Sequence, residues 1–462
     1  LDMRSGRVMA TADVMREPVS AAISRDGETL AVAHLLAAGA ANAEVVRAGV
    51  SLLEADNLNR RGVVWLPNGS SSVRGVAFHP AKDVCAVVHG IGRFQIPTTQ
   101  VEYGWMNVSA LSLISAGRKE LVASVVLDEA RRGTANPWCV GWAADGRYLC
   151  IGHAGTHELS IIDYPALERK LGGVPGGSFI SDFSFLEGTR RRVRLGVEGP
   201  RSLVLGNGTA YVGGFFSDSV SEVDLASGAV RNVLRLGRAG SYSLEREGER
   251  LFNDAAVCHQ GWQSCASCHP DGRADGLNWD LLNDGIGNPK NTKSLLLAHV
   301  TPPAMSLGAR ESAEQAVRSG LRHILFANLP ESKARAIDAY VRSLKAVPSP
   351  FLVNGALSKS AQRGKRLFNN PKVGCAVCHP APLFTDCRRH VVAEGVPAKG
   401  EEEGFDTPAL VECWRTAPYL HNGSAASVRE VLTTKNYGDK HGRTSHLSSR
   451  ELHDLEEYVR SL

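Results

Sequence analysis

Two copies of one short motif carry the clearest chemistry in this 462-residue chain. Each copy has two cysteines three positions apart and a histidine directly after the second cysteine. Two thiols at this spacing can bond to the two vinyl groups of one heme, and the following histidine can reach the iron from the same turn. We therefore predict two covalently attached heme c groups, held by Cys265, Cys268 and His269 in the first copy and by Cys375, Cys378 and His379 in the second.

A zinc site is the rival interpretation of these paired cysteines. Zinc ribbons use two Cys-x-x-Cys pairs as their four ligands. That interpretation leaves His269 and His379 unexplained, and the two pairs lie farther apart along this chain than in a zinc ribbon. Heme is therefore the favoured cofactor, with His269 and His379 as proximal iron ligands.

Heme c also indicates where the protein works. Bacteria attach heme c outside the cytoplasm, where disulfides persist, so we expect a periplasmic or extracytoplasmic location. Cys387 and Cys413 flank a segment rich in glycine and glutamate, residues 394–404. A disulfide between these two cysteines is one alternative, and buried free thiols are the other.

Composition excludes some classes of partner. Lysine and arginine exceed aspartate and glutamate by only 52 − 48 = 4, and these charges are dispersed, so nucleic acid is not a favoured partner. The apolar runs are shorter than the ~18 residues that cross a bilayer, so we expect no transmembrane segment. The length favours two or three domains.

The first half of the chain repeats a turn followed by a strand. Three copies of the strand lead to His34, His89 and His153, and a fourth copy without the histidine ends at Gly214. Four-stranded units with turns between short strands are typical of propeller blades. Residues 1–240 resemble the YVTN family of bacterial β-propellers, and we predict that fold for them.

About four whole blades can be counted in this half. Residues 1–14 match the outer half of a further blade, so either earlier blades are missing or the ring closes in an unusual way. The three repeated histidines suggest a metal ring or, alternatively, ordinary strand-end residues near the blade loops.

The second half contains a repeat of helices. Residues 245–254 and 361–370 predict helices that lead into the two heme motifs, and residues 336–344 and 454–462 predict amphipathic helices that end each copy. The fold class is therefore multidomain, with an all-β propeller followed by a mostly α diheme cytochrome c domain. Its two lobes are predicted at 241–347 and 348–462.

These tandem lobes resemble the bacterial diheme cytochrome c peroxidase and MauG family. The resemblance is carried by Phe384-Thr385-Asp386 after the second heme motif and by the segment Thr-Ala-Pro-Tyr-Leu-His-Asn-Gly-Ser at 416–424. It implies that one heme reacts with hydrogen peroxide while the other exchanges electrons with a donor or with a substrate protein. It also raises calcium as a further cofactor.

The first heme departs from the family pattern. Family peroxidases carry a histidine between the first motif and a segment that here is Pro289 to Thr292, but no histidine lies between Pro270 and Ala298. By the resemblance, the first iron is either open or capped by His299 or Met305.

The resemblance also suggests catalytic residues near the first heme. Gln315 keeps its family position, and His323 lies near the place of the family's catalytic carboxylate. We therefore predict catalytic roles for Gln315 and His323. The alternative for His323 is a histidine at a helix end, facing solvent or satisfied in the core.

The distal ligand of the second iron comes from the loop after His421. The family places a methionine or, in MauG, a tyrosine there, whereas this chain offers His441, Tyr437 and Lys435, in that order of preference, and no methionine. A surface loop is the alternative. An axial ligand without the soft sulfur of methionine favours a lower reduction potential.

Two functions from different classes follow. The first is a peroxidase or MauG-like oxidoreductase that works with an electron-donor or acceptor protein. The second is a non-catalytic electron-transfer cytochrome of a larger assembly, with the propeller as its docking module. A propeller that binds a protein partner for its own purpose is a third hypothesis.

Overall fold

The computed structural model describes residues 2–96, 104–237, 242–281, 288–392 and 402–462. Its N-terminal half consists of β-sheets and its C-terminal half is largely helical, as predicted. The last strand of the first half ends at Arg235 and the first helix of the second begins at Leu244. The predicted domain boundary at residues 240 and 241 lies outside the described residues and stays a prediction. No described helix is both long and apolar enough to cross a membrane.

Four antiparallel sheets form the N-terminal half, one for each repeat. The first contains β1 (Pro18–Ile23), β2 (Thr29–His34), β3 (Gly49–Glu54) and β4 (Arg60–Trp65). The second contains β5 (Ser70–Phe78), β6 (Cys85–Gly92), β7 (Asn107–Ser115) and β8 (Glu120–Val126). The third contains β9 (Pro137–Trp142), β10 (Tyr148–His153), β11 (Glu158–Asp163) and β13 (Arg190–Arg194). Helix α1 (Tyr164–Leu171) and strand β12 (Ser178–Ile180) lie between β11 and β13 along the chain. The fourth contains β14 (Pro200–Gly206), β15 (Thr209–Gly214), β16 (Ser219–Asp224) and β17 (Val230–Arg235).

These sheets are propeller blades because they pack face to face through their first strands. Strands β1, β5, β9 and β14 contact one another in that order, and β12 adds to β8 as a parallel fifth strand. Fully buried aliphatic residues fill each gap between blades, such as Val50 and Val87 in the first and Leu149 in the second. The β-propeller prediction is therefore confirmed.

The repeated histidines are structural residues of the blades. His34, His89 and His153 are completely buried, and the Nε2 of each lies 2.8–2.9 Å from a serine hydroxyl on the next strand. Those serines are Ser51, Ser112 and Ser160. Among the described residues the three histidines form no metal-ligand group, so the metal-ring alternative is wrong.

The predicted strand pair near the start of the chain is also wrong. Residues 2–17 form no strand, although Gly6 donates a turn hydrogen bond to Asp2. Most of these side chains are exposed, and no sheet edge pairs with this segment. The outward sides of the first and last blades expose Val19, Ile23, Val204 and Tyr211. The prediction of further blades stays a prediction.

The helical half contains two lobes with the same order of elements. The first lobe contains α2 (Leu244–Asn253), α3 (Cys265–Cys268), β18 (Asn278–Trp279), β19 (Lys290–Asn291), α4 (Ala313–His323) and α5 (Glu331–Ser343). The second contains α6 (Lys359–Phe368), α7 (Cys375–Cys378), β20 (Arg389–His390), β21 (Phe405–Asp406), α8 (Val428–Leu432) and α9 (Ser449–Arg460). Serine hydroxyls cap α2, α6 and α9 at their first turns, which explains why these helices begin where they do.

One glycine in each lobe sets the distance between its first and last helices. A Cβ on Gly248 of α2 would lie 1.8 Å from the carbonyl oxygen of Ala336, and a Cβ on Gly364 of α6 would lie 1.9 Å from that of Asp454. The two helix backbones therefore touch at these points. No other residue type fits without separating the helices.

We predict that Gly364→Ala destabilises the protein, although alanine normally favours a helix over glycine by up to ~1 kcal/mol. The added methyl group must push α9 away from α6, and overpacking of this kind costs about 1–3 kcal/mol or more. The control is Gly320→Ala in α4, where the new Cβ meets nothing within 4 Å. Thermal unfolding of both variants checks this, and equal stabilisation by the two substitutions would contradict it.

The buried histidines also predict how stability depends on pH. Burial lowers the pKa of His89 from 6.5 to about 4, so between these values the unfolded chain binds a proton that the folded chain does not. The free energy of unfolding should therefore fall as pH falls from 6.5 to 4, by up to ~1.4 kcal/mol per pH unit for this histidine. His89→Gln should flatten the pH dependence measured by urea unfolding, and the exposed control His453→Gln should not. Identical slopes in all three proteins would refute the argument.

Candidate functional site

The two predicted heme motifs adopt the same backbone conformation. In both, a four-residue helix, α3 or α7, begins and ends at the two cysteines. His269 and His379 follow with φ and ψ of −117° and 64° and of −115° and 61°. Each of these residues donates its backbone N–H to the carbonyl of the first cysteine, Cys265 or Cys375. The same local geometry thus presents two thiols and one imidazole in each of the two motifs.

Hydrogen bonding orients both proximal histidines. The Nδ1 of His269 lies 2.9 Å from the carbonyl oxygen of Arg273, and the Nδ1 of His379 lies 2.8 Å from that of Phe384. Because a carbonyl can only accept, Nδ1 must carry the proton in both rings, which leaves Nε2 with a free lone pair. Burial lowers the pKa of both histidines and keeps the imidazoles neutral. These rings are therefore prepared to ligate a metal through Nε2.

The cysteines fit thioether bonds to heme better than a zinc site. Burial raises the pKa of Cys265 to about 12 and that of Cys375 to about 11, so both are neutral thiols before a cofactor is bound. Among the described residues, one group of three potential metal ligands gathers, and it contains a single cysteine, Cys378, with Asp386 and His390. The cysteines of the two motifs therefore do not gather into a zinc site, and the zinc alternative is not supported. Cys378 in that group is one of the thiols predicted to bond to heme.

A second imidazole faces His379. The ring of His441 lies with its centroid 6.3 Å from that of His379 at an angle of 37°. One metal ion about 2 Å from a nitrogen of each ring, the usual imidazole–metal distance, fits between rings so spaced. Burial lowers the pKa of His441 to about 4, and its buried Nδ1 has no hydrogen-bonding partner. The residues at the second site therefore fit a heme iron with two histidine ligands.

The other two candidates at the second site lie elsewhere in the same loop. Tyr437 is 39% exposed, and Lys435 belongs to the turn after α8, where its backbone N–H bonds to Glu430. Neither is brought against His379 in the way His441 is. Which of the three ligates the second iron stays a prediction.

No described histidine ring faces His269 in the same way. His299 is buried, but its Nε2 lies 3.5 Å from Asp338 and 3.8 Å from Glu314, carboxylates of α5 and α4. Its ring is thus directed at the helices of the first lobe. The two attachment sites therefore have similar proximal sides and different distal sides.

Comparisons with known proteins relate this chain to c-type cytochromes. A family model described as RoxA-like, cytochrome c-like, matches residues 404–438. The gamma subunit of hydrazine synthase from Kuenenia stuttgartiensis is 33% identical over 47% of this chain and 77% of that protein. The methylamine utilization protein MauG of Methylophilus methylotrophus is 29% identical over 46% of this chain and 78% of that protein. A solved chain of Kuenenia stuttgartiensis hydrazine synthase is 32% identical, with a TM-score of 0.44 over 49% of this chain and 90% of that one.

Through residues 241–462, the chain belongs to the diheme cytochrome c peroxidase and MauG family. It is a c-type cytochrome with covalently bound heme c and an oxidoreductase kind of function. The number of hemes stays a prediction, as does calcium. Among the described residues, no three carboxylates gather into a group that could hold calcium.

Met305 lies at the position in the first lobe that corresponds to Leu420 in the second lobe. Ala304 and Tyr419 each form an isolated bridge, and the next residues, Met305 and Leu420, both have positive φ values of 75° and 71°. Met305 is therefore the first lobe's counterpart of Leu420. The family's histidine at 421 has Ser306 as its counterpart, so no histidine of this motif serves the first lobe.

The structure does not bring Gln315 or His323 to the first heme motif. Both lie on exposed positions of α4, and Gln315 exchanges hydrogen bonds with Glu311. His323 ends the helix with an exposed side chain. The catalytic assignment came from an approximate alignment, and exposure favours the alternative of a surface helix for both residues.

Two residues that the sequence did not single out lie close to the first motif. Asp275 is 1% exposed, donates its backbone N–H to the carbonyl of Cys268, and accepts from the indole of Trp279. Burial raises the pKa of Asp275 to about 6. Arg273, whose carbonyl orients His269, forms a buried bidentate ion pair with Glu412 of the second lobe. No motif marks these residues, and the carboxylate partner of Arg273 lies in the other lobe.

The propeller also contributes to the first site. Asn136 bonds to Ser264 and Ser267 on either side of α3's first cysteine, and Asn107 donates to Gln263. Asn107 is also 3.5 Å from the Sγ of Cys268. The first attachment helix is therefore held by blade residues as well as by its own lobe.

We predict that His441→Ala opens the second iron. Removing this imidazole leaves His379 as the one ligand from the protein on that iron, so the absorption spectrum of the oxidised protein should gain high-spin character and cyanide should bind to an additional heme. Tyr437→Phe is the matched control in the same loop, because its exposed ring does not face His379. A low-spin second heme in His441→Ala would remove His441 as the ligand.

Proposed function

We propose that this protein is a periplasmic diheme cytochrome with peroxidase-like or MauG-like redox activity, in which electrons pass between two covalent hemes. Heme would supply the reactive iron and store electrons. The protein supplies the axial histidines and buries them, and its two lobes take different roles. The observation that carries the proposal is the difference between the distal sides: a histidine ring stands 6.3 Å from His379, and none of the described rings stands so before His269.

An iron with one free coordination position can bind peroxide, whereas an iron with two histidine ligands can only exchange electrons. The first lobe therefore takes the reactive role and the second lobe the electron-transfer role. Two imidazole ligands without methionine sulfur favour a low reduction potential for the second heme. Electrons from the second heme would then flow readily to an oxidised first heme.

Contacts between the lobes support transfer of electrons across their boundary. His269 bonds to the Arg273 carbonyl, and the Arg273 guanidinium bonds to Glu412 through two contacts of 2.7 and 2.8 Å. Asn291 donates to the carbonyl of His421, whose ring stacks on Phe405 at 3.8 Å. These contacts are short and buried, and they link the two heme lobes through bonded and hydrogen-bonded atoms.

The second candidate function is electron transfer without catalysis in a larger assembly. It is favoured by the likeness to a protein whose name makes it one subunit of an enzyme, hydrazine synthase gamma. In that case the propeller is a docking module, and an electron-donor or acceptor protein binds to it. The exposed apolar residues at both ends of the row of blades are the available surfaces.

The test begins with heme content and then measures reactivity. The intact mass should exceed the 49.5 kDa polypeptide by two heme masses. Fully reduced protein mixed with hydrogen peroxide should be reoxidised at both hemes, and carbon monoxide, which binds an open ferrous iron, should prevent this when it is added beforehand. Replacing Cys265 and Cys268 by serine should abolish cyanide binding, whereas the matched pair of changes at Cys375 and Cys378 should preserve it.

Two outcomes would overturn the proposal. A wild-type mass without heme refutes the cytochrome altogether. Two hemes that react with neither peroxide nor cyanide refute the peroxidase and leave the electron-transfer function.

A further inference from the structure

Arg16 reaches from the propeller half into the junction between the two heme lobes. It precedes β1 in a segment without regular structure, yet its guanidinium is buried. Its Nη1 donates to the carbonyl of Ala417 in the second lobe. Its Nη2 lies against Gly276 of the first lobe, 3.1 Å from the position a Cβ would take there. One side chain thus touches both lobes.

The guanidinium has hydrogen-bond donors that no atom of the described residues satisfies. The Nε and Nη2 atoms of Arg16 are buried and have no partner. Leaving buried donors of a charged group unsatisfied costs more than a hydrogen bond normally contributes, so such groups are rare in folded proteins. The contacts of the described residues therefore leave Nε and Nη2 of Arg16 without an acceptor.

The nearby carboxylates are engaged by other arginines. Arg415 binds both oxygens of Glu17 at 2.9 and 3.1 Å, and Arg273 binds both oxygens of Glu412. Burial lowers the pKa of Arg16, and the charge of Arg415 adds to this, while Glu17 and Tyr419 oppose it. The carboxylate of Asp275, next to Gly276, accepts from the backbone of Leu277 and from the indole of Trp279. None of these carboxylates therefore accepts a hydrogen bond from Arg16.

A further unsatisfied atom in the same region is also a donor. Trp414 precedes Arg415, and its indole Nε1 is buried without a partner. The guanidinium of Arg415 lies 5.6 Å from that indole ring. Unsatisfied donors on a buried guanidinium favour an anionic group with several acceptor oxygens over a metal ion, which would be repelled.

We propose that the Arg16 guanidinium binds a heme propionate at the junction of the two lobes, so that the propeller half supplies a cation to the cofactor of the cytochrome half. The inference rests on the proposed function, which places two hemes in these lobes. A planar guanidinium matches a carboxylate through two parallel N–H···O bonds, and Nε and Nη2 are the pair of donors that forms this contact. Gly276 leaves room for it, because any side chain there would press on Nη2.

The contact has an electrical consequence. A positive charge beside a propionate keeps the carboxylate ionised and offsets its negative charge near the iron. Without that charge the ferric form is favoured, and the reduction potential falls. The propeller would then influence the redox properties of a heme that is bonded to the other half of the chain.

The experiment compares Arg16→Gln with Arg7→Gln, an exposed arginine of the same segment, in the full heme-loaded chain. Heme content is measured first, by the absorption of the pyridine complex. Resonance Raman spectra of the propionate bending bands and a potentiometric titration of each heme follow. In Arg16→Gln we expect unchanged heme content, a shifted propionate band and a lower potential for one heme, with wild-type values in Arg7→Gln.

Arg16→Lys keeps the experiment decisive if the glutamine variant fails to fold. Lysine retains the charge but lacks the paired donors, so the propionate band should shift while the potential changes less. A propionate band and potentials equal to those of the wild type, in whichever variant folds with its hemes, overturn the inference and leave the proposed function intact. A wild-type mass without two hemes is the separate failure of the proposed function.

Discussion

The ion pair between Arg273 and Glu412 is the contact on which the arrangement of the two lobes depends. Arg273 is 7% exposed and Glu412 is fully buried, and two hydrogen bonds join them. Glu412 also accepts the backbone N–H of Val347 in the linker between the lobes. Removing one partner from such a buried pair costs about 3–5 kcal/mol, because the other charge is left without compensation. The pair is therefore a strong constraint on how the lobes meet.

The same arginine connects this constraint to the first heme motif. Its carbonyl holds the proton of His269, so the orientation of the proximal imidazole and the position of Glu412 are set by one residue. The counterpart in the second lobe, Phe384, has no such ion pair and holds His379 by its carbonyl alone. The two lobes share a local geometry, but only the first is tied through its proximal histidine to the other lobe by a buried charge.

What the sequence predicted correctly depends on short-range rules. Covalent heme c could be predicted because bonding to one heme requires a fixed spacing of two cysteines and a histidine along the chain, although the assignment to Cys265, Cys268 and His269 stays a prediction. The blades and the paired helices were found because their apolar residues repeat at strand or helix spacing. The turns Asp26–Gly27 and Asp145–Gly146 connect the first two strands of their blades, as their residue types favour.

The distal residues and the contacts between halves could not be predicted in this way. Gln315 and His323 were placed by an alignment that fixes a position along α4 but not the side of the helix that faces solvent. Residues 2–14 have strand-like composition, but a strand also needs a neighbour to pair with, and the sequence does not state which edges are available. Arg16 was missed because its partner, Ala417, comes from the other end of the chain. Asp275 was missed because only the fold buries it beside the first motif.

Reciprocal backbone contacts join two lobes that share one order of elements but differ in their side chains. Asp406 of the second lobe donates its N–H to the carbonyl of Ser306, and Asn291 of the first donates to the carbonyl of His421. Strand β19 of the first lobe and strand β21 of the second thus each donate an equivalent hydrogen bond to the other lobe. The internal repeat therefore includes residues of the interface. Because backbone atoms make these bonds, the side chains at 306 and 421 are free to differ. The first lobe has Ser306 where the second has His421. Among the described residues, an imidazole faces the second proximal histidine only, and that imidazole belongs to His441 rather than to His421. The common backbone therefore sets the contact between the lobes, while residues outside that contact, such as His441, make their distal sides differ.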